Sequence, residues 1–105
     1  MDVNPVFEDV AAELAPRGVV VGNMFGAKAL KSGGKALGCL LKSGSMAFRL
    51  GDGTPAHADA LALSGAHLFD PSARDQPFKD WVEVPAAHEK LWLRFAVAAL
   101  ENLSA

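Results

Sequence analysis

Leu37-Gly38-Cys39-Leu40-Leu41-Lys42-Ser43-Gly44-Ser45-Met46-Ala47-Phe48-Arg49-Leu50 is the stretch that decides the fold class. Met46, Phe48 and Leu50 alternate with Ser45, Ala47 and Arg49, the period of a strand with one face toward a core and the other toward water. Leu37, Cys39 and Leu41 fall in one phase in the run before it, and Leu40 adds apolar surface to the opposite face. Lys42-Ser43-Gly44-Ser45 between the two runs has the composition of a hairpin turn, and Ser32-Gly33-Gly34 upstream repeats the signal. Turns this short join antiparallel neighbours, so Val19 to Leu50 reads as a β-meander of three or four strands.

Outward from the meander the period changes. On the N-terminal side Asn4 precedes Pro5, an N-cap followed by proline at the first helical position, and Phe7, Val10, Ala11 and Leu14 recur at helical spacing. The pattern predicts an amphipathic helix from Pro5 to about Ala15, with Glu8 and Asp9 near its positive end and Pro16 and Gly18 as the stop. On the C-terminal side Gly51 to Pro55 is a turn, and the alanine-rich Ala56 to Leu63 favours a short helix. His67 to Phe69 and Phe78 to Val84 are strand candidates, joined as a hairpin by the turn-rich linker Asp70 to Pro77. After Pro85, a helix over Ala86 to Leu103 carries a stripe of Leu91, Phe95, Ala98, Ala99 and Leu103, with Trp92 at the edge of the core. The expected architecture is α+β: a two-layer sandwich with an antiparallel sheet, in the order helix, three to four strands, short helix, two strands, long C-terminal helix.

The chain has 105 residues, half of them hydrophobic and 21% charged, which suits a single domain over residues 1–105 with one core. Ten Lys and Arg against twelve Asp and Glu give a net charge of −2, which excludes a generally basic nucleic-acid coat. No run approaches the roughly 18 to 20 apolar residues of a membrane span. One cysteine, and an N-terminus without the basic and apolar segments of a signal peptide, point to the cytoplasm and to no membrane.

The charge is unevenly distributed. Between Glu13 and Asp52 there is no acidic residue, while Arg17, Lys28, Lys31, Lys35, Lys42 and Arg49 all fall there. Clustered positive charge is either a surface for phosphates or acidic partners, or a set of solvent-facing lysines that keep strand edges from aggregating. Ser32-Gly33-Gly34-Lys35 fails as a phosphate-binding loop, because Ala29 and Ala36 stand where glycine and Ser or Thr are needed. Cys39 sits in an apolar strand as a small hydrophobe, and His57, His67 and His88 lack the spacing of a metal site, so no catalytic residue, cofactor or metal is assigned. Strand alternation places Trp81 with Lys79 and Glu83, opposite Phe78, Val82 and Val84; it is either an interface anchor on an open face or a ring covered by a helix.

From Met24-Phe25-Gly26 onward the order of landmarks resembles the TfoX/Sxy N-terminal-domain family. A small-residue strand (Ala27 to Lys31), a glycine turn, the Leu37 to Leu41 strand and Met46-Ala47-Phe48-Arg49-Leu50 are followed by Phe69-Asp70-Pro71, Trp81-Val82-Glu83-Val84-Pro85 and a final amphipathic helix. The resemblance implies an α+β fold and, for two-domain members, a role as a bacterial regulator of competence genes acting with the transcription machinery. The chain ends where the second, helical domain of those regulators would begin, and the family supplies no catalytic residues. The expectation is a non-enzymatic regulatory or protein-interaction module that meets a protein partner or its own copy, as a homodimer, through Lys28, Lys31, Lys35, Arg49, Lys79 and Trp81. The alternative is a nucleic-acid contact module using the basic stretch 17–49, which has only Phe25 and Phe48 for base stacking.

Overall fold

The computed structural model describes residues 4–24, 26–70 and 77–104. Helix α1 (Pro5–Leu14) begins where the sequence predicts: Asn4 is extended, and its Oδ1 accepts from the backbone N–H of Val6 (3.0 Å) and Phe7 (3.1 Å). Such a cap is worth about 1 kcal/mol. Phe7, Val10 and Leu14 bury their side chains, and a 3₁₀ turn over Ala15–Arg17 leads into the sheet.

The sheet holds β1 (Val20–Met24), β2 (Ala27–Ser32), β3 (Lys35–Leu40), β4 (Met46–Arg49), β5 (His67–Phe69) and β6 (Phe78–Val84), in the spatial order β1-β2-β3-β4-β6-β5 with every pair antiparallel. The expected antiparallel α+β architecture is therefore the one formed. Gly33 and Gly34 both have positive φ (58° and 81°), the backbone a two-residue hairpin turn needs to follow the strand twist. The linker 71–76, together with Phe25 and Pro71 of the family resemblance, lies outside the described residues.

One strand departs from simple alternation. Leu30 pairs with Gly38 but Lys31 pairs with Ala36, so Leu37 is an extra residue in β3. A β-bulge shifts the side-chain phase. Leu37 consequently joins the helix-side core while Cys39 and Leu41 belong to the cluster on the other face, which corrects the expectation that the three line up.

All three helices cover one face of the sheet. Phe7, Val10 and Leu14 of α1 and Trp92, Phe95, Ala96, Ala99 and Leu100 of α3 (Trp92–Ser104) pack on Leu30, Leu37, Met46, Phe48, Val82 and Val84. Helix α2 (Pro55–Leu61) is capped by Thr54, whose Oγ1 accepts from His57 N–H and donates to the Leu50 carbonyl; it stops short of the expected Leu63 in a tighter turn. The last helix also differs from expectation. Ala86–Leu91 is 3₁₀, His88 is non-helical, and its Nε2 bonds the Ser64 carbonyl at 2.8 Å. Pro85 offers no side-chain cap, so this contact with the α2–β5 connection sets the local backbone. Trp92 is fully buried at the centre of the core, where the sequence placed it at the edge, and its indole N–H has no partner among the described residues.

Candidate functional site

The pairing register lays Gly22, Ala29, Cys39, Ala47, Glu83 and His67 side by side across all six strands, on the face away from the helices. The small side chains in the middle of this row are the bed of a second cluster, in which Ala29, Cys39 and Ala47 are buried and Met24, Ala36 and Leu41 pack around them. Phe69 and Trp81 close one end with ring centroids 6.0 Å apart, and Phe78 stands edge-on to Phe69 at 6.1 Å. Phe78 comes to this side because Leu68 pairs with Val82 but Phe69 pairs with Phe78, a slip that leaves Lys79, Asp80 and Trp81 without partners on β5 while Trp81 stays paired with Arg49 of β4. The freed backbone is used elsewhere: the Asp80 carbonyl accepts from Leu50 and Gly51, and His57 Nε2 bonds the Lys79 carbonyl at 2.7 Å.

The candidate residues distribute as follows. Arg49 is the cross-strand partner of Trp81 and is half-buried, with no salt bridge among the described residues. Lys31 lies on the same face, folded over Gly22 so closely that a Cβ there would sit 3.1 Å from its Cδ. Lys28 is on the helix side, with Nζ 3.9 Å from Glu8 Oε2 of α1. Lys35 is exposed at the β2–β3 turn, and Lys79 is exposed within the slip of β6. The structure thus makes Arg49 and Trp81 cross-strand neighbours, puts Lys31 on the same face two strands from Arg49, and leaves Lys28 and Lys35 apart from them. Trp81 is only 7% exposed, covered without any helix on its face.

Charge is biased by layer. Glu8, Asp9, Glu13, Asp59, Glu89 and Glu101 belong to the helical segments, with Arg17, Lys90 and Arg94 as their cations, whereas Lys28, Lys31, Lys35, Lys42, Arg49 and Lys79 belong to the strands and their turns, with Asp80 and Glu83 of β6 as the carboxylates there. A shallow groove of about 250 Å³ on the helix side is lined by Val6, Val10 and Leu93 together with Asp9, Glu13, Glu89 and Lys90.

Chemical groups are sparse on the open face. Burial pushes the Cys39 thiol up to about 12, with the Glu83 charge adding and a hydrogen bond with the Ala47 backbone opposing, so it stays a protonated thiol at neutral pH. Among the described residues no three His, Cys, Asp or Glu side chains form a group able to hold a metal ion. No helix among them is long and apolar enough to cross a membrane.

The sheet edges differ from one another. β5 has three residues and an interrupted register, two features that discourage further pairing. β1 has five residues, no charge and no bulge, and Val20 and Val21 are 62% and 51% exposed. The signal was present in the sequence as the uncharged run Val19 to Met24, but only the strand order reveals that this run is an edge. No family model, curated protein or solved structure matches the chain.

Proposed function

We propose that the protein is a non-enzymatic interaction module that pairs with a second copy of itself through β1, and that it presents Lys31 of β2 and Arg49 of β4, on the sheet face away from the helices, to a further acidic partner. The observation that carries this reading is the unprotected β1 edge. Among the described residues no strand lies beyond its outward N–H and C=O groups, and natural sheets normally blunt such an edge with charge, proline or a bulge. A strand meeting its own copy antiparallel generates a two-fold axis, the commonest oligomer symmetry. With the axis at Gly22, Val20 faces Met24 of the second copy and both exposed valines are covered. A regulatory role of the kind implied by the TfoX/Sxy resemblance would be exerted through this paired form.

Mass in solution tests the proposal. Light scattering on the eluting protein should give twice the 11.0 kDa chain mass, and Val21→Lys should return it to one chain mass without loss of secondary structure. A parent protein that elutes at one chain mass across the concentration range would overturn it. The nucleic-acid alternative is favoured by one observation, the placing on one face of Lys31 and Arg49, two cations without a salt bridge among the described residues. Its signature is DNA binding that weakens steeply with salt, because each neutralised phosphate releases counterions.

A further inference from the structure

We infer that the end of the sheet nearest the α1 N-terminus is a binding site for a small molecule bearing a phosphate or carboxylate group. Pairing between β2 and β3 stops at Ala29 and Cys39, although β2 begins at Ala27 and β3 runs to Leu40. The next pairs that the register would make, Lys28 with Leu40 and Ala27 with Leu41, are absent. The two strands part, and a cavity of about 390 Å³ occupies the gap. That volume falls within the range of small-ligand pockets.

The lining has one sign of charge. Lys28 and Lys42 line the gap with Asn4 and Asn23, and among the described residues no carboxylate lines it. Among the described residues Lys42 has no salt bridge, and Lys28 has one, the long, solvent-exposed contact to Glu8. The helix end itself is not the attraction: the N–H groups of Val6, Phe7 and Glu8 are all taken by Asn4. Two cations converging on a partly enclosed, apolar-floored gap raise the local concentration of anions, and Leu40 and Leu41 supply the floor on which a short hydrocarbon stub would rest.

The site adjoins the β1 seam through Asn23, so it is tested by a readout at residues outside β1, on the parent chain and on Val21→Lys alike. Amide resonances of the full chain are followed while inorganic phosphate and butyrate are added in separate arms, with total ionic strength held constant by sodium chloride. Saturable shifts confined to Gly26, Lys28, Leu41, Lys42 and Gly44 are expected. Saturation by phosphate alone identifies a phosphate group as the ligand's anchor, and saturation by butyrate identifies a carboxylate. Lys42→Gln should weaken the binding by about tenfold, Glu8→Gln should tighten it by releasing Lys28, and Lys35→Gln should leave it unchanged. Shifts that grow linearly without saturating, or an affinity that Lys35→Gln lowers as much as Lys42→Gln, would overturn the inference.

Discussion

Replacing Trp81 by alanine separates the two roles that the sequence left open for this residue. An interface anchor must be exposed in the free protein, yet Trp81 is 7% exposed and packed on Phe69 in the second cluster. The ring therefore acts first on folding. Truncating a buried tryptophan costs about 3 to 5 kcal/mol, the lost transfer energy plus the cavity left behind. Domains of this size are stable by about 5 to 15 kcal/mol, so the loss is a large share of the total. With a urea dependence of about 1.5 kcal/mol per molar, the unfolding midpoint should fall by about 2 to 3 M. The assay is equilibrium unfolding followed by far-ultraviolet circular dichroism, which does not rely on the indole being removed. Trp81→Phe keeps most of the contact and should lose far less. A Trp81→Ala midpoint within about 0.3 M of the parent, with self-association abolished, would show that the open-face cluster contributes little and that the ring belongs to an interface.

Two further outcomes follow from buried chemistry and backbone geometry. Because the folded state keeps Cys39 protonated up to about 12 while the unfolded thiol ionises near 9, the unfolded chain binds fewer protons in that window. Stability should therefore fall as pH rises above about 9, by up to about 1.4 kcal/mol per pH unit, and Cys39→Ala should flatten that slope in urea midpoints measured across the range. Gly51 has φ of +85°, and a Cβ there would lie 2.8 Å from Asn102 Oδ1. Gly51→Ala should cost about 1 to 2 kcal/mol from the backbone alone, plus the displacement of Asn102. Adding Asn102→Ala should recover only the second part; full recovery in thermal unfolding would contradict the backbone argument.

The parts of the fold that local chemistry dictates were legible in the sequence. Asn4 and Pro5 mark the start of α1, the two glycine turns mark the meander, and the alternation of Met46, Phe48 and Leu50 gives the phase of β4, because each signal acts within a few residues. What was not legible came from contacts distant in sequence. Nothing around Leu37 announces a bulge; the extra residue is accommodated because the helix-side core has room for its side chain, and the strand then carries its apolar residues in two phases. The 3₁₀ segment before α3 follows from His88 reaching Ser64, and the slip at Trp81 from Lys79 and Asp80 bonding the α2 region. The candidate site was legible only as a composition. The acid-free stretch does contribute Lys31 and Arg49 to one face, but Lys28 turns to α1, and that division depends on which side of β2 each residue occupies.

The sorting of charge by layer gives the molecule a direction. Its net charge of −2 is small, yet the helical segments carry Glu8, Asp9, Glu13, Asp59, Glu89 and Glu101 against Arg17, Lys90 and Arg94, and the strands and their turns carry Lys28, Lys31, Lys35, Lys42, Arg49 and Lys79 against Asp80 and Glu83, so the helix layer is net negative and the sheet layer net positive. Near an acidic surface such a body turns before it touches, bringing the sheet forward and the helices back. With a screening length of about 8 Å at physiological salt, that turning acts only over the last few water layers. It therefore governs which face makes the first contact, while leaving the rate of long-range approach nearly unchanged.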